Sequence, residues 1–469
     1  MYTKKAHIHF VGIGGIGMSG IATILKYQGY TISGCDLDLD QTSVKDLKTI
    51  GCQIYQGNNT PQCNDSSIDT LVYSSAVKTY NPEIATAQSR GIPTIPRAVM
   101  LAELMRTKYG IAISGSHGKT TTTSLISHIL IEAQMDPTVI IGGHLKNISA
   151  NARIGGGDFL VAEADESDRS FLYLQASLAI VTNIDLEHLE TYRDIDDIKE
   201  TFKRFLNNIP FYGKAIVCID DANIRSILPL PHIKTIKYGL TSDADYYATD
   251  ITLEPSHSTY TVWHKNLNLG TVSFNMPGRH NLLNSLAAIA LARDLEIPFA
   301  TIATALQSFK GIERRFCFKG NYKGAEFFDD YGHHPQEIYN TLLVAHRRAK
   351  NKLTVIFQPH RFTRTSKLWN EFIDIFVESQ IDRLIITDIY PASEAPIPEV
   401  TSQNLVKAMQ LRNPKFEVVY ASYEPNFESI RKHLDTNITA DDLILMLGAG
   451  KVNKLTDIII PSEMKSARI

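Results

Sequence analysis

Residues 109–123 read Tyr-Gly-Ile-Ala-Ile-Ser-Gly115-Ser116-His117-Gly118-Lys119-Thr120-Thr121-Thr-Thr. An apolar run ending at Ser114 passes through a glycine turn into a helical pattern that continues to about Gln134. In such a turn the backbone N–H groups form a nest for phosphate oxygens. Lys119 is then placed to reach the β- and γ-phosphates, and the Thr120 hydroxyl to ligate Mg2+. The usual P-loop sets its first glycine further from the Gly-Lys pair, at a position held here by Ile113, so this is a shorter variant, G-x-x-G-K-T.

Working outward, a second glycine loop lies near the start, Gly12-Ile-Gly14-Gly15-Ile-Gly17. It follows a strand-like run from His7 to Val11 and opens an amphipathic helix that runs through about Tyr27. Glycines there permit a tight turn and let a diphosphate rest on the positive end of the helix. Asp36 closes the next strand, 19 residues past Gly17, where a carboxylate can accept from a ribose. Alone, this loop would suggest an NAD-dependent oxidoreductase. Such an enzyme has no use for the Lys119 loop, so the pair favours ATP-driven chemistry on a nucleotide-linked substrate.

Downstream, Glu163-Ala-Asp165-Glu166-Ser-Asp168 and Thr182-Asn183-Ile-Asp185-Leu-Glu187-His188 each follow a buried-type strand. That edge is where open α/β sheets bind ligands. Glu163 is a metal-ligand candidate there, against the plainer reading of a solvated loop carboxylate. His188 alone would be an ordinary loop histidine. Further on, Asp329-Asp330-Tyr331-Gly-His333-His334-Pro335 lies between a strand and a helix. Asp330 could hold an ammonium, and His333 or His334 could orient the amine or take its proton. The plainer reading is an Asp-Gly turn with capping histidines. Gln358-Pro-His360-Arg361-Phe-Thr-Arg364 offers two arginines suited to a carboxylate or phosphate.

Strand and helix patterns alternate along the whole chain, which reads as α/β architecture. Three domains are expected: an N-terminal Rossmann-like domain (1–107), a central P-loop ATPase-type domain with a mostly parallel sheet (108–313) and a C-terminal Rossmann-like domain (314–469). Short alternating runs between Tyr246 and Phe274 read as antiparallel strands appended to the central sheet. The net charge of −3 and scattered Lys and Arg argue against a nucleic-acid surface. No apolar run is long enough to span a bilayer, and the N-terminus lacks the pattern of a secretory signal. The five cysteines are far apart with no C-x-x-C pair, which argues against a disulfide framework or a structural zinc site and fits a cytoplasmic chain.

Together, HFVGIGGIGMSGIA, GSHGKTTTT, EADESD, PGRHNLLN, DDYGHHP and FQPHR resemble the Mur ligase family, in order from His9 to Arg364. The resemblance is to members that join L-alanine to UDP-N-acetylmuramate in building the bacterial cell wall. It implies that ATP phosphorylates the lactyl carboxylate and that the amino group of L-alanine then attacks the acyl phosphate. It assigns Gly12, Gly14, Gly15, Gly17, Asp36, Ser74 and Ser75 to the UDP-sugar. Gly115, Ser116, His117, Gly118, Lys119, Thr120 and Thr121 fall to ATP, with His280, Asn281 and Asn284 near its adenine and Arg314 or Arg315 facing its phosphates. Thr120, Glu163 and His188 would serve Mg2+. Lys119, His188, Asp330, His333, His334, Arg361 and Arg364 would form the catalytic set. Three hinged domains would close on substrate, and a monomer or weak homodimer is expected.

Two departures stand out. The family usually has Asp before the metal histidine, where this chain has Glu187. Gly448-Ala-Gly450-Lys451 also lacks the acidic or amide residue expected after its second glycine. A recycling ligase that attaches a tripeptide to the same UDP-sugar is the nearest alternative; the intact first glycine loop and Tyr331 favour the single amino acid.

Overall fold

The structure is a computed structural model that describes residues 5–460 apart from 58, 59, 75, 79, 146–149, 393 and 425. It contains three sheets, distributed over two compact units. The first unit comprises Met1–Thr252, Thr259–Asn275 and Asn281–Lys310, and the second Leu253–Ser258, Met276–His280 and Gly311–Ile469.

In the first unit, a five-stranded parallel sheet has the order Gln53–Gln56, Thr31–Asp36, His7–Val11, Thr70–Tyr73, Thr94–Pro96. The chain leaves the middle strand first in one direction and later in the other, so the first glycine loop sits at the switch point of the sheet. Ligands of doubly wound folds bind there. The strand Thr70–Tyr73 ends where Ser74 and its neighbours turn: the Ser74 N–H donates to Val11 O and the Val77 N–H to Ser74 O.

The same unit holds a ten-stranded sheet built around Tyr109–Ser114, which lies between Leu178–Val181 and Phe159–Glu163, parallel to both. Three parallel strands therefore deliver Gly115, the residues after Glu163 and Thr182 to one edge. The segment between Tyr246 and Phe274 forms three strands at one end of this sheet, as expected in position. Its first strand, Tyr246–Leu253, differs in direction: it pairs parallel with Lys234–Gly239 through two residue pairs. The helix Lys119–Glu132 carries a run of threonines poorly suited to a helix interior. It is stabilised instead by burial on nearly all sides, and back-bonds satisfy the buried hydroxyls, with Thr123 Oγ1 donating to Lys119 O at 2.8 Å and Ser127 Oγ to Thr123 O at 2.7 Å.

In the second unit, a six-stranded sheet runs Cys317–Tyr322, Ala325–Asp330, Leu443–Leu447, Leu353–Phe357, Arg383–Ile386, Val418–Tyr420. Only the first pair is antiparallel. Register sets Asp330 and Phe357 level with Leu447, so the segments after all three strands emerge together. Among the described residues no helix is long and apolar enough to cross a membrane.

Candidate active site

The ATP-type loop of the first unit is built from contacts only glycine allows. Gly115 has φ +131°, and a Cβ there would collide with the Thr182 hydroxyl. Gly118 has φ +83°, and its Cβ would lie 2.5 Å from Asn284 Oδ1. Between them the loop is laced to the neighbouring strand end. The Ser116 N–H donates to Asn183 O (3.1 Å), the His117 N–H to Asn183 Oδ1 (2.8 Å), and Thr182 Oγ1 to His117 O (2.6 Å). The Asp185 N–H donates to Ser116 Oγ at 2.8 Å, a task the serine hydroxyl performs as a threonine would.

Lys119 folds back under this loop. Its Nζ donates to Gly115 O (2.6 Å), Ser116 O (3.1 Å) and Glu166 Oε1 (2.8 Å). Burial works against the ammonium, yet the carboxylates of Glu166 and Asp165 outweigh it and hold its pKa above the usual lysine value. Asp165 is itself disfavoured by burial and kept ionised by Arg97 and Lys119, with Arg97 Nη2 at 3.3 Å. Arg97 also reaches the first glycine loop, for a Cβ on Gly17 would lie 2.8 Å from its Nη1. No motif pointed to Arg97, and its place at the head of both loops is a gain of the structure.

His188, in the left-handed region at φ +55°, presents Nε2 to Glu187 Oε2 at 3.3 Å and Glu166 Oε1 at 3.4 Å, and Nδ1 to Glu190 at 3.7 Å. Burial opposes its charge, but hydrogen bonds that its ring donates to Glu166, Glu187 and Glu190 raise its pKa to about 11. Ligand atoms of Glu166, Glu187 and His188 lie within 4.8 Å of one another, a set able to hold a metal ion. Glu163 stands outside that set; its carboxylate accepts the Gly142 N–H at 2.9 Å. Thr120 is half-buried at the second position of the helix, and Thr121 is buried. Sequence reasoning passed over Glu166 and Glu187 as ligands because carboxylates are common in such loops.

Asp36 is placed at the first glycine loop, but as a brace: its Oδ2 accepts the Gly14 N–H at 2.8 Å and its Oδ1 the Gln41 amide at 3.1 Å. Gly12 has φ +77° beside Ser74, and Gly15 caps the helix Ile16–Tyr27. Ser75 lies outside the described residues. Asn281 and Asn284 are buried on the helix Arg279–Asp294, where Asn284 supports the Gly118 turn.

In the second unit the strand ends gather cations. Arg314, at φ +58°, donates through Nη2 to Gly448 O at 2.6 Å and lies 4.8 Å from the Tyr331 ring centre. Arg315 lies 5.7 Å from the same centre and pairs with Glu337 at 3.6 Å. The divergent Gly448–Lys451 segment is thereby tied to the site, with the Val452 N–H donating to Gln358 Oε1 at 3.0 Å. His333 Nδ1 contacts Tyr331 O at 2.9 Å, and its ring lies 5.6 Å from that of His360. His334 is buried at the start of the helix Pro335–Arg348. Arg364 Nη1 lies 3.2 Å from His360 Nδ1. Arg361 adopts φ +70°, and its buried Nε has no hydrogen-bond partner among the described residues. Strain and an unused donor at one residue suit an arginine kept ready for an anion. Burial, then His333, Arg364, Arg361 and Arg314, lower the His360 pKa to about 3, so it stays neutral amid these charges. His280 is likewise lowered to about 4 by burial and Arg315.

Asp330 is buried and engaged: it accepts from the Phe316 N–H (2.7 Å), the Gly332 N–H (2.7 Å) and the Thr341 hydroxyl (3.2 Å). Its first task is to hold the turn that carries Tyr331, and an ammonium would take only a remaining lone pair.

Three family models match consecutive stretches of the chain: the Mur ligase family catalytic domain over 7–109, the Mur ligase middle domain over 113–292 and the Mur ligase glutamate ligase domain over 314–450. The chain belongs to the Mur ligase family. It is 48% identical over 453 residues to a UDP-N-acetylmuramate–L-alanine ligase of Geobacter sp. (strain M21), covering 96% of each. A solved UDP-N-acetylmuramate–alanine ligase of Thermotoga maritima superposes with a TM-score of 0.80 at 26% identity, over 97% of this chain and 98% of that one. A murein peptide ligase of Psychrobacter arcticus shares the fold, with a TM-score of 0.72 at 24% identity over 97% of this chain and 98% of that one.

Two outcomes follow from this geometry. Glu166→Gln removes the carboxylate that offsets the desolvated Lys119 ammonium and should lower stability by about 3 kcal/mol; thermal unfolding unchanged from the parent chain would contradict the pairing. His360 is held near 3 when folded against about 6.5 when unfolded, so between those values the unfolded chain binds the extra proton. Its contribution is present above pH ~6.5 and is lost as pH falls toward the folded value. His360→Gln should flatten the acid-side fall of the melting temperature across that window, and an unaltered profile would refute it.

Proposed function

We propose that this chain is an ATP-dependent ligase that joins L-alanine to the lactyl carboxylate of UDP-N-acetylmuramate, releasing ADP and phosphate, in peptidoglycan precursor synthesis. The observation that carries the reading is the Lys119 loop with Glu166, Glu187 and His188 at its mouth, in a chain matched along nearly its whole length by L-alanine-adding relatives. The boundaries 1–107, 108–313 and 314–469 are the proposed divisions for UDP-sugar, ATP and amino acid, and the compartment is the cytoplasm.

A carboxylate is a poor electrophile in water, and conversion to an acyl phosphate makes it open to an amine. In this reading the backbone N–H groups of Gly115–Lys119 receive the ATP phosphates. Lys119 exchanges its contacts with Gly115 O and Ser116 O for phosphate oxygens while Glu166 keeps it protonated. The donor set of Glu166, Glu187 and His188, with the Thr120 hydroxyl and Glu163 as further oxygens, fits a hard divalent cation such as Mg2+. When bound, Mg2+ supplies charge neutralisation to the transferring phosphoryl group. Glycines 12, 14, 15 and 17 and Ser74 hold the UDP diphosphate, with Arg97 as its cation.

In the second unit, Arg361 and Arg364 hold the carboxylate of the amino acid. His333 or His334 accepts the proton that the amine loses on attack. Arg314 and Arg315 steady Tyr331 and the phosphate side.

Phosphate release from Mg-ATP and UDP-N-acetylmuramate should depend on L-alanine; release with a tripeptide alone would assign the chain to recycling instead. Lys119→Ala should slow that release at least about a hundredfold while UDP-sugar binding, followed by calorimetry, survives. Loss of both together would contradict the division of labour between the two glycine loops.

A further inference from the structure

Behind the first glycine loop, four side chains that share no sequence motif converge on one point: His9, Cys35, Cys63 and Glu83. Each offers one ligand atom, and the four atoms lie within 4.8 Å of one another. His9 and Cys35 stand on the same face of the sheet, because register sets His9 beside Ser33 and Val11 beside Cys35 and side chains alternate with period two. Cys63 comes from the short turn of helix Pro61–Asn64. Glu83 comes from the first turn of the helix Pro82–Ser89, whose start is fixed by Asn81 Oδ1 accepting the Glu83 N–H at 2.9 Å.

Exposure of the four is 0%, 0%, 2% and 0% in chain order, within an apolar cluster that includes Val11, Leu71, Ile84 and Ala87. A carboxylate sealed there needs strong partners. Two of the other three side chains meet it: the Cys35 thiol donates to Glu83 Oε2 at 2.9 Å, and His9 Nε2 lies 3.6 Å from the same oxygen. That Nε2 is buried and makes no hydrogen bond of normal geometry among the described residues. Its ring is aimed by the other nitrogen, for Nδ1 pairs with Ser33 Oγ at 2.8 Å, and Ser33 Oγ in turn meets His7 Nε2 at 2.7 Å. Metal-bound imidazoles are oriented in this way, through the nitrogen that does not face the ion.

We propose that His9, Cys35, Cys63 and Glu83 form a closed structural site for a thiophilic divalent cation, zinc above all, at the back of the first sheet. Two sulfurs, one imidazole nitrogen and one carboxylate oxygen make up a four-ligand zinc set. Tetrahedral zinc spaces such atoms about 3.3–3.8 Å apart, so the Cys35–Glu83 contact of 2.9 Å would open and longer separations close through small side-chain rotations. Mg2+ prefers oxygen and keeps its waters, so this site and the one at Lys119 would sort the two ions by chemistry. Binding displaces the proton of each thiol and any proton on His9 Nε2, and all leave to solvent. Sequence spacing argued against structural zinc because it looks for neighbouring cysteines. Here the ligands span 74 residues, from His9 to Glu83, and only the sheet register gathers them.

The test is a Co2+ titration of the metal-free, reduced, full-length chain. The expected result is one equivalent bound with a near-ultraviolet sulfur-to-cobalt charge-transfer band and tetrahedral visible bands, displaced by zinc, with a melting temperature that rises on zinc addition and returns on chelation. Cobalt held by Glu166, Glu187 and His188 has no sulfur ligand and gives no such band, so the two sites are separable. Cys35→Ser and Cys63→Ser should each weaken the band to about half or less and the double variant should abolish it, while Cys52→Ser should leave it intact. A folded, reduced parent chain without the band would overturn the proposal, as would a band undiminished in Cys63→Ser or persisting in the double variant. Isolation of the chain with a Cys35–Cys63 disulfide would do the same.

Discussion

The first unit is organised around a buried ammonium that must keep its proton. Lys119 lies beneath a loop whose carbonyls can bind it but cannot neutralise it, and Glu166 at 2.8 Å supplies the missing charge. From that pair the charges alternate outward. Asp165 stands between Lys119 and Arg97, and on the other side Glu166 and Glu187 flank His188. Removing one member would leave a neighbour desolvated and unpaired, which is far more costly than never having built the pair. The glycine positions follow from the same requirement. Only with Thr182 and Asn284 pressed against Gly115 and Gly118 can the loop close tightly enough to cover the lysine.

The second unit solves a different electrostatic problem with the same parallel-sheet edge. Three level strands release Asp330, Gly448 and Gln358 side by side, and arginines from two separate segments collect there. A carboxylate-rich network would have neutralised them. Instead Asp330 is occupied by backbone donors, Asp329 is pushed up to about 6 by burial, and the nearby histidine stays neutral. Arg314 pairs with Asp329 at 3.4 Å and Arg315 with Glu337 at 3.6 Å, while the buried Arg361 Nε has no hydrogen-bond partner among the described residues. The first unit gathers acidic side chains after its strands, and the second gathers arginines.

Both glycine loops, the strands that feed them and the α/β class were legible because a strand, a glycine turn and a helix start fall within a few residues of one another. The strand Leu443–Leu447 was not read as a strand, although it lies between Ala325–Asp330 and Leu353–Phe357 in its sheet. Its sequence, Leu-Ile-Leu-Met-Leu, is apolar throughout, and such a run has no period to separate strand from helix. Lys234–Gly239 failed for the opposite reason, since its lysines and exposed positions mimic a loop. Within the site, roles tied to backbone geometry were readable, and choices among carboxylates were not. Glu163, Asp165 and Glu166 are near neighbours in sequence, yet the chain directions after the strand send them to Gly142, Arg97 and Lys119 respectively.

The Glu187 departure from the family pattern gains a physical reason from the same geometry. Its Oε2 lies 3.3 Å from His188 Nε2, and its Oε1 lies 3.6 Å from His117 Nδ1. One carboxylate thus spans the metal-type histidine and the loop histidine, and His117 is further held by Asp185 at 3.3 Å. An aspartate at this position would be one methylene shorter and could not reach both rings without drawing the backbone inward. That backbone is already constrained, with His188 in the left-handed region and the Asp185 N–H bound to Ser116 Oγ. The longer side chain therefore lets the strand end stay where the phosphate loop needs it while still presenting an oxygen to the His188 cluster.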